Sequence, residues 1–179
     1  MATPTATRAF FGRADETSVL ALHGEVRYST ARGLRAYVDT MLARDTGDTI
    51  VVDLRSASLI DSTGLGILAR IGRSTLERRG RRAVIVCTDP DLLTCLRSVA
   101  FDTIFVLTNE LPIEPPEELV EVDLGAPNDE QATGLGRMIL DAHRDLAALS
   151  EENRRNFADV IGALEAEVPA DGPTKGSGQ

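Results

Sequence analysis

Thr49-Ile50-Val51-Val52-Asp53-Leu54, followed shortly by Leu59-Ile60-Asp61-Ser62-Thr63-Gly64-Leu65-Gly66, is the stretch that decides the fold. The first part is short, β-branched and nearly all apolar, which suits a strand covered on both faces. Beyond the second part Leu65, Leu68, Ile71, Gly72 and Leu76 recur at helical spacing, so a helix packs back on that strand. Asp61-Ser62-Thr63-Gly64-Leu65-Gly66 therefore lies where strand becomes helix, and Ser62 is the expected N-cap. A helix start carries unpaired N–H groups and partial positive charge, so a phosphate on Ser62 would be tolerated there. A plainer reading is that Asp61 and Ser62 only cap the helix while Gly64 and Gly66 ease a tight turn.

Working outward, the patterning predicts strands over 10–13, 18–23, 49–53, 83–86 and 104–107, and helices over 30–43, 62–78 and 90–99. Asp89-Pro90 makes a good start for the third helix, with proline at its first position. Helices alternating with strands imply an α/β fold, a mixed and mostly parallel central sheet flanked by helices. After Leu107 the composition changes. Residues 109–128 form an acidic, proline-rich connector, expected to continue neither strand nor helix, with Leu119, Val120 and Val122 able to lie against the domain. Residues 129–168 form an amphipathic helical extension. Its stripe of Leu135, Met138, Ile139, Ala142, Leu146 and Leu149 continues through Phe157, Val160, Ile161 and Leu164, as one helix or as two joined near Ser150. Covering for that stripe is open at this point: the first domain, a second copy of the chain in a homo-oligomer, or a partner. Residues 169–179, rich in Gly, Pro and Ser, read as a disordered tail.

The 179 residues carry a formal net charge of −9, and no apolar run approaches the length of a membrane span. The first eight residues lead into no signal-peptide core, so a cytoplasmic location without membrane insertion is expected. Charge is uneven: residues 1–108 hold 14 Arg against 12 Asp and Glu, whereas residues 109–179 hold 5 Lys and Arg against 16. Arg70, Arg73, Arg78, Arg79, Arg81 and Arg82 crowd the helix after the Ser62 loop. No interleaved aromatics accompany them, and they read as a solvated helix end that complements the dipole, with no direct nucleic-acid contact. Cys87 and Cys95 read as reduced core residues. His23 and His143 stand apart with no metal-ligand spacing, so no metal and no cofactor are expected.

The run Val51-Val52-Asp53-Leu54 with Leu59-Ile60-Asp61-Ser62-Thr63-Gly64-Leu65-Gly66 resembles the signature of the STAS domain family, the bacterial anti-sigma factor antagonists. The similarity continues through Gly24-Glu25-Val26, Ala83-Val84-Ile85-Val86, the helix with Leu92, Leu93 and Leu96, and Val99-Ala100-Phe101-Asp102, and spans residues 9–108. The resemblance implies a non-enzymatic partner-switching regulator. An anti-sigma factor or similar serine kinase would bind it unphosphorylated and phosphorylate Ser62, with Thr63 as runner-up, and a cognate phosphatase would reverse the step. The partner-binding surface implied is Asp61, Ser62, Thr63, Gly64, Leu65, Gly66, Arg27 and Tyr28. One departure bears on partner choice. Where many family members carry an acidic residue, Gly24-Glu25-Val26 runs here into Arg27-Tyr28-Ser29, replacing an anion by a cation. The alternative is a STAS regulator of a non-sigma output, such as biofilm formation or a signalling enzyme. The weakest reading is an enzyme using Asp53 and Asp61 as paired carboxylates, or a nucleotide-binding protein cradling phosphate with Thr63-Gly64-Leu65-Gly66, because no base is evident nearby and the Lys-Ser/Thr ending of a P-loop is missing.

Overall fold

Strand β3 (Thr49–Ile60) buries Ile50, Val51, Val52 and Leu54 in succession, so both of its faces must be covered and it takes a central place in the sheet. The computed structural model describes residues 6–44, 49–125 and 134–168. Expectations for the tail 169–179 and for the first residues of the extension, 129–133, lie outside them. Strands β1 (Arg8–Ala14), β2 (Thr17–Val26), β4 (Ala83–Val86), β5 (Phe105–Thr108) and β6 (Val120–Val122) complete a six-stranded sheet of order β5-β4-β3-β2-β1-β6. β2 through β5 pair parallel, and β1 pairs antiparallel with β2 and β6. The mixed, mostly parallel sheet is therefore as the sequence implies.

Helices α1 (Tyr28–Ala43), α2 (Ser62–Arg79) and α3 (Pro90–Ser98) share one apolar core with Leu20, Leu22, Val52, Leu54, Ile85 and Phe105 of the sheet. Their buried positions explain the orientation. Ala31, Leu34, Val38 and Leu42 fall on one stripe of α1, and Leu92 and Leu96 on one stripe of α3. α2 stops where Gly80 adopts the left-handed conformation, φ 63°, and donates its N–H to Leu76 O. Asp89 starts α3 by accepting from the N–H groups of Asp91 and Leu92. A turn of 3-10 helix, Phe101–Thr103, sends the chain into β5, and the Phe101 and Phe105 rings stack there at 5.4 Å.

The acidic connector departs from its expectation. Leu111 and Ile113 lie on a small cluster of Val19, Val51 and Val86 on the second sheet face, and Val120–Val122 then pairs with β1 as an edge strand. An edge position explains why so short and acidic a segment forms a strand: Glu121 takes a bidentate bond from the Arg8 guanidinium, at 2.7 and 2.9 Å. Among the described residues the extension forms three helices, α4 (Leu135–Ala147), α5 (Glu151–Asn156) and α6 (Ala158–Glu167), not one or two: it breaks near Ser150, which caps α5 through Asn153 N, and again at Phe157. Of the three coverings open for the apolar stripe, the chain's own α2 supplies the one seen. Leu140, Ala142 and Leu146 are buried. Asn153, a polar interruption in the stripe, is 1% exposed and donates to Val99 O and Leu146 O. On α6 the stripe is covered less, with Val160 36% exposed.

The arginines after the Ser62 loop are tied into this packing: Arg70 to Asp39 at 2.6 Å, Arg73 to Asp145 at 3.0 Å, Arg78 to Leu42 O at 2.8 Å and Arg82 to Asp102 O at 2.8 Å. They hold α2 and the start of β4 to their neighbours and do not simply complement a helix dipole. Cys87 and Cys95 are free, and burial pushes both thiols up. Phe105 is fully buried in the main core, so Phe105→Ala should lower stability by about 3–5 kcal/mol, read as a shifted midpoint in urea unfolding with an unchanged slope.

Candidate functional site

Asp61, not Ser62, is the N-cap of α2. Its backbone is extended, φ −80° and ψ 173°, and its Oδ1 accepts from Gly64 N at 2.9 Å. The second oxygen, Oδ2, accepts from Tyr28 N at 2.6 Å, across 33 residues of chain. Both residues are good caps by chemistry. Asp61 wins because its carboxylate satisfies two N–H groups at once, one at the start of each of two helices, where a hydroxyl would satisfy one. Asp61 N also donates to Val26 O at 3.0 Å, so the ends of β2 and β3 are clamped together. Ser62 is thereby the first residue inside α2, where N–H groups still lack helical partners and the partial positive charge is greatest.

This arrangement brings several of the sequence-predicted residues to one place, at the carboxyl ends of parallel strands β2 and β3. Arg27 sits at the N-cap position of α1 and Tyr28, 48% exposed, follows it. The Arg27 cation is answered by Glu25 at 2.6 Å, so the exchange of charge noted in the sequence is partly neutralised within the loop. Asp61 and Ser62 are half-buried. Thr63, Gly64, Leu65 and Gly66 are buried, with Thr63 only 4% exposed, and so do not form an open surface. Of the surface that the resemblance implies, these four residues therefore face the interior. A Cβ on Gly64 would meet Ile60 Cγ2 at 2.9 Å and Val26 Cγ1 at 3.0 Å; on Gly66 it would meet Ala142 O at 2.3 Å. The backbone approaching Gly66 belongs to the chain's own α4.

α4 also supplies the residue that sequence reasoning missed. His143, 5% exposed, places Nε2 3.0 Å from Ser62 Oγ and Nδ1 2.8 Å from Ile139 O. A carbonyl can only accept, so Nδ1 carries the hydrogen, and in the neutral ring Nε2 accepts from the Ser62 hydroxyl. Phe157 packs edge-on against the imidazole at 5.8 Å. A signal was present in the sequence. His143 stands four residues after Ile139 and three before Leu146, on the apolar stripe itself, where an unpartnered histidine is out of place. Beside it Asp145 meets Arg73, yet burial pushes the Asp145 carboxyl up against the lowering effect of Arg73, Arg35 and Arg70. Such a pair positions α4 more than it stabilises it.

The paired-carboxylate arrangement is not formed. Eight residue positions of mostly extended chain, on the order of 25 Å, separate Asp53 from Asp61. Asp53 does not end its strand but lies within β3 and is engaged by Arg55 through both side chain and backbone. Burial alone would raise the Asp53 carboxyl; the Arg55 bonds and charge outweigh it and hold it below the usual carboxylate range. Thr63-Gly64-Leu65-Gly66 is helix, not a phosphate-cradling loop. His23 lies against the Phe10 ring at 4.7 Å. Among the described residues no group of three or more His, Cys, Asp or Glu could hold a metal ion.

The family model described as "Mlab, STAS domain" matches residues 9–109. The chain is similar to the crystal structure of an anti-sigma factor antagonist from Mycobacterium paratuberculosis, with 24% identity and a TM-score of 0.53, over 62% of this chain and 92% of that one. It is also similar to the anti-sigma factor antagonist SpoIIAA in its unphosphorylated form, with 21% identity and a TM-score of 0.48, over 58% of this chain and 89% of that one. A search of curated proteins finds no significant match.

Two measurements check the site. Asp61→Ala should lower stability by about 1–2 kcal/mol through loss of the cap, with Asp61→Asn losing less, as read by thermal or urea unfolding. Because the folded-state pKa of Asp53 is depressed, its ion pair stabilises the fold above the ordinary carboxylate range. That contribution disappears as pH falls through the depressed value. Asp53→Asn should therefore flatten the acid limb of a stability-against-pH curve and leave its slope above neutrality unchanged.

Proposed function

Because the chain belongs to the STAS domain family, we propose that it is a non-enzymatic, phosphorylation-controlled partner-switching regulator. Unphosphorylated, it binds an anti-sigma factor or similar serine kinase through the surface around Ser62, Arg27 and Tyr28; phosphate on Ser62 releases that partner, and a cognate phosphatase restores binding. The observation that carries this reading is Ser62 at the first position of α2, half-buried while Thr63 is 4% exposed, which favours Ser62 over Thr63 as the phosphoacceptor. Phosphate adds about −1.5 to −2 charges. The helix start stabilises them in the free protein. In a desolvated interface the same charge is repulsive, and the complex separates.

Three further observations support the regulator. Its carboxylates Asp53 and Asp61 are committed to Arg55 and to two backbone N–H groups, so neither is placed to abstract a proton from a substrate. Mg²⁺ and ATP then belong to the partner kinase, and this chain requires no cofactor. The structural relative from Mycobacterium paratuberculosis is an anti-sigma factor antagonist, which favours that partner class. Among the described residues no helix is long and apolar enough to cross a membrane, consistent with the proposed cytoplasmic setting. A second reading, the same surface serving a non-sigma output such as biofilm formation or a signalling enzyme, is favoured by one observation: Arg27 already has its counter-charge in Glu25, so this loop presents a different charge pattern to a partner.

Affinity capture with wild type, Ser62→Ala and Ser62→Asp, followed by phosphopeptide mapping, tests the proposal. An ATP-binding kinase should be retained by the first two and lost by at least about tenfold with Ser62→Asp, and the phosphate should map to Ser62. Equal retention by all three, or phosphate on another residue, contradicts it.

A further inference from the structure

The extension reaches the switch itself. α4 lies across the start of α2, its carbonyl at Ala142 seated over Gly66 where no Cβ would fit, and its His143 imidazole bonded to Ser62 Oγ at 3.0 Å. Arg73 to Asp145 on one side, at 3.0 Å, and Asn153 to Val99 O on the other, at 2.9 Å, hold the helices to the domain. The hydroxyl that a kinase must reach is thus donated to a ring that is 5% exposed. We infer that α4 is an intramolecular competitor at Ser62: docking of α4 and phosphorylation of Ser62 exclude each other, so the extension gates the switch. This inference rests on the reading of Ser62 as the phosphoacceptor.

The exclusion follows from atoms already in place. A separation of 3.0 Å between Oγ and Nε2 admits one hydrogen and nothing larger. An ester at Oγ has no hydrogen to donate, so the bond to the Nε2 lone pair is lost as well. The groups that would face the new dianion include Asp61 at the cap and, from the α4 side, His143. The helix start itself tolerates phosphate, so α4, rather than the modified residue, is the part displaced. By reciprocity, docked α4 disfavours phosphate on Ser62 and phosphate on Ser62 disfavours docked α4 by one and the same equilibrium factor. The opposite outcome of the test is an imidazole–phosphate pair that clamps α4 harder. Experiment separates the two.

Full-length protein with phosphoserine installed at position 62 by codon expansion, compared with unmodified protein by hydrogen–deuterium exchange, reads α4 directly. Amides of 138–147 should exchange about tenfold faster or more in the phosphorylated protein, with β3 and β4 unchanged. Unmodified His143→Ala should accelerate the same amides by about two- to tenfold, the loss expected of one buried hydrogen bond and its ring contact. Unchanged sheet protection in the same data establishes that this variant is folded, and the conservative Asn153→Gln serves as a second, independent loosening of the extension if it is not. Equal or greater protection of α4 in the phosphorylated protein overturns the inference. Since the phosphate is placed chemically, that result is distinct from a finding that cells phosphorylate some other residue, which would overturn the functional reading alone.

Discussion

The carboxylate of Asp61 is the group on which the rest of the site depends. One oxygen holds Gly64 N and the other holds Tyr28 N, so a single side chain fixes where α2 begins and where α1 begins relative to it. Without it Gly64 N, in the first turn of α2, would lose its side-chain partner. With it, Ser62 is pinned as the first helical residue, and its hydroxyl is aimed at α4. The position of Ser62 at the helix start is therefore set by a hydrogen-bonding requirement of the backbone and not by any property of Ser62.

Two consequences run outward from that constraint. The first turn of α2 is packed tightly enough that Thr63, Gly64, Leu65 and Gly66 serve the interior, while Tyr28 stays exposed and Ser62 half-buried. The second concerns Gly66. A glycine within a helix is unfavourable by about 1 kcal/mol relative to alanine, and its presence is explained by the Ala142 carbonyl that occupies the space of a side chain. The α2 helix thus sacrifices some intrinsic stability so that α4 can approach backbone to backbone. The STAS domain thus carries α4 across the start of its own α2.

Much of the fold could be read from the sequence because its signals are local. Strands β1 to β5 and helices α1 to α3 each carry their own periodicity, α2 and α3 also their own caps, and the parallel sheet follows from their alternation. What escaped is non-local. β6 is three residues in an acidic, proline-rich stretch, and it is a strand only because β1 offers an open edge and Arg8 a counter-charge to Glu121. Asp61 and Ser62 are adjacent and chemically equivalent as caps; Tyr28, distant in sequence, decides between them. His143 lies 81 residues from Ser62, and only its misfit on an apolar stripe hinted at a partner. The connector's Leu111 and Ile113 likewise reveal their role only when Val19, Val51 and Val86 are seen to lack cover.

The central claim is that the Ser62 hydroxyl is held by the chain's own histidine while unmodified. Long-range ¹H–¹⁵N correlation of the imidazole nitrogens in full-length, unphosphorylated protein measures this most directly. The account predicts that His143 is a single tautomer with its hydrogen on Nδ1, bonded to Ile139 O, and with Nε2 showing the shift of a hydrogen-bonded acceptor that moves in Ser62→Ala. A hydrogen on Nε2, an averaged pair of tautomers, or an Nε2 signal indifferent to Ser62→Ala would contradict it.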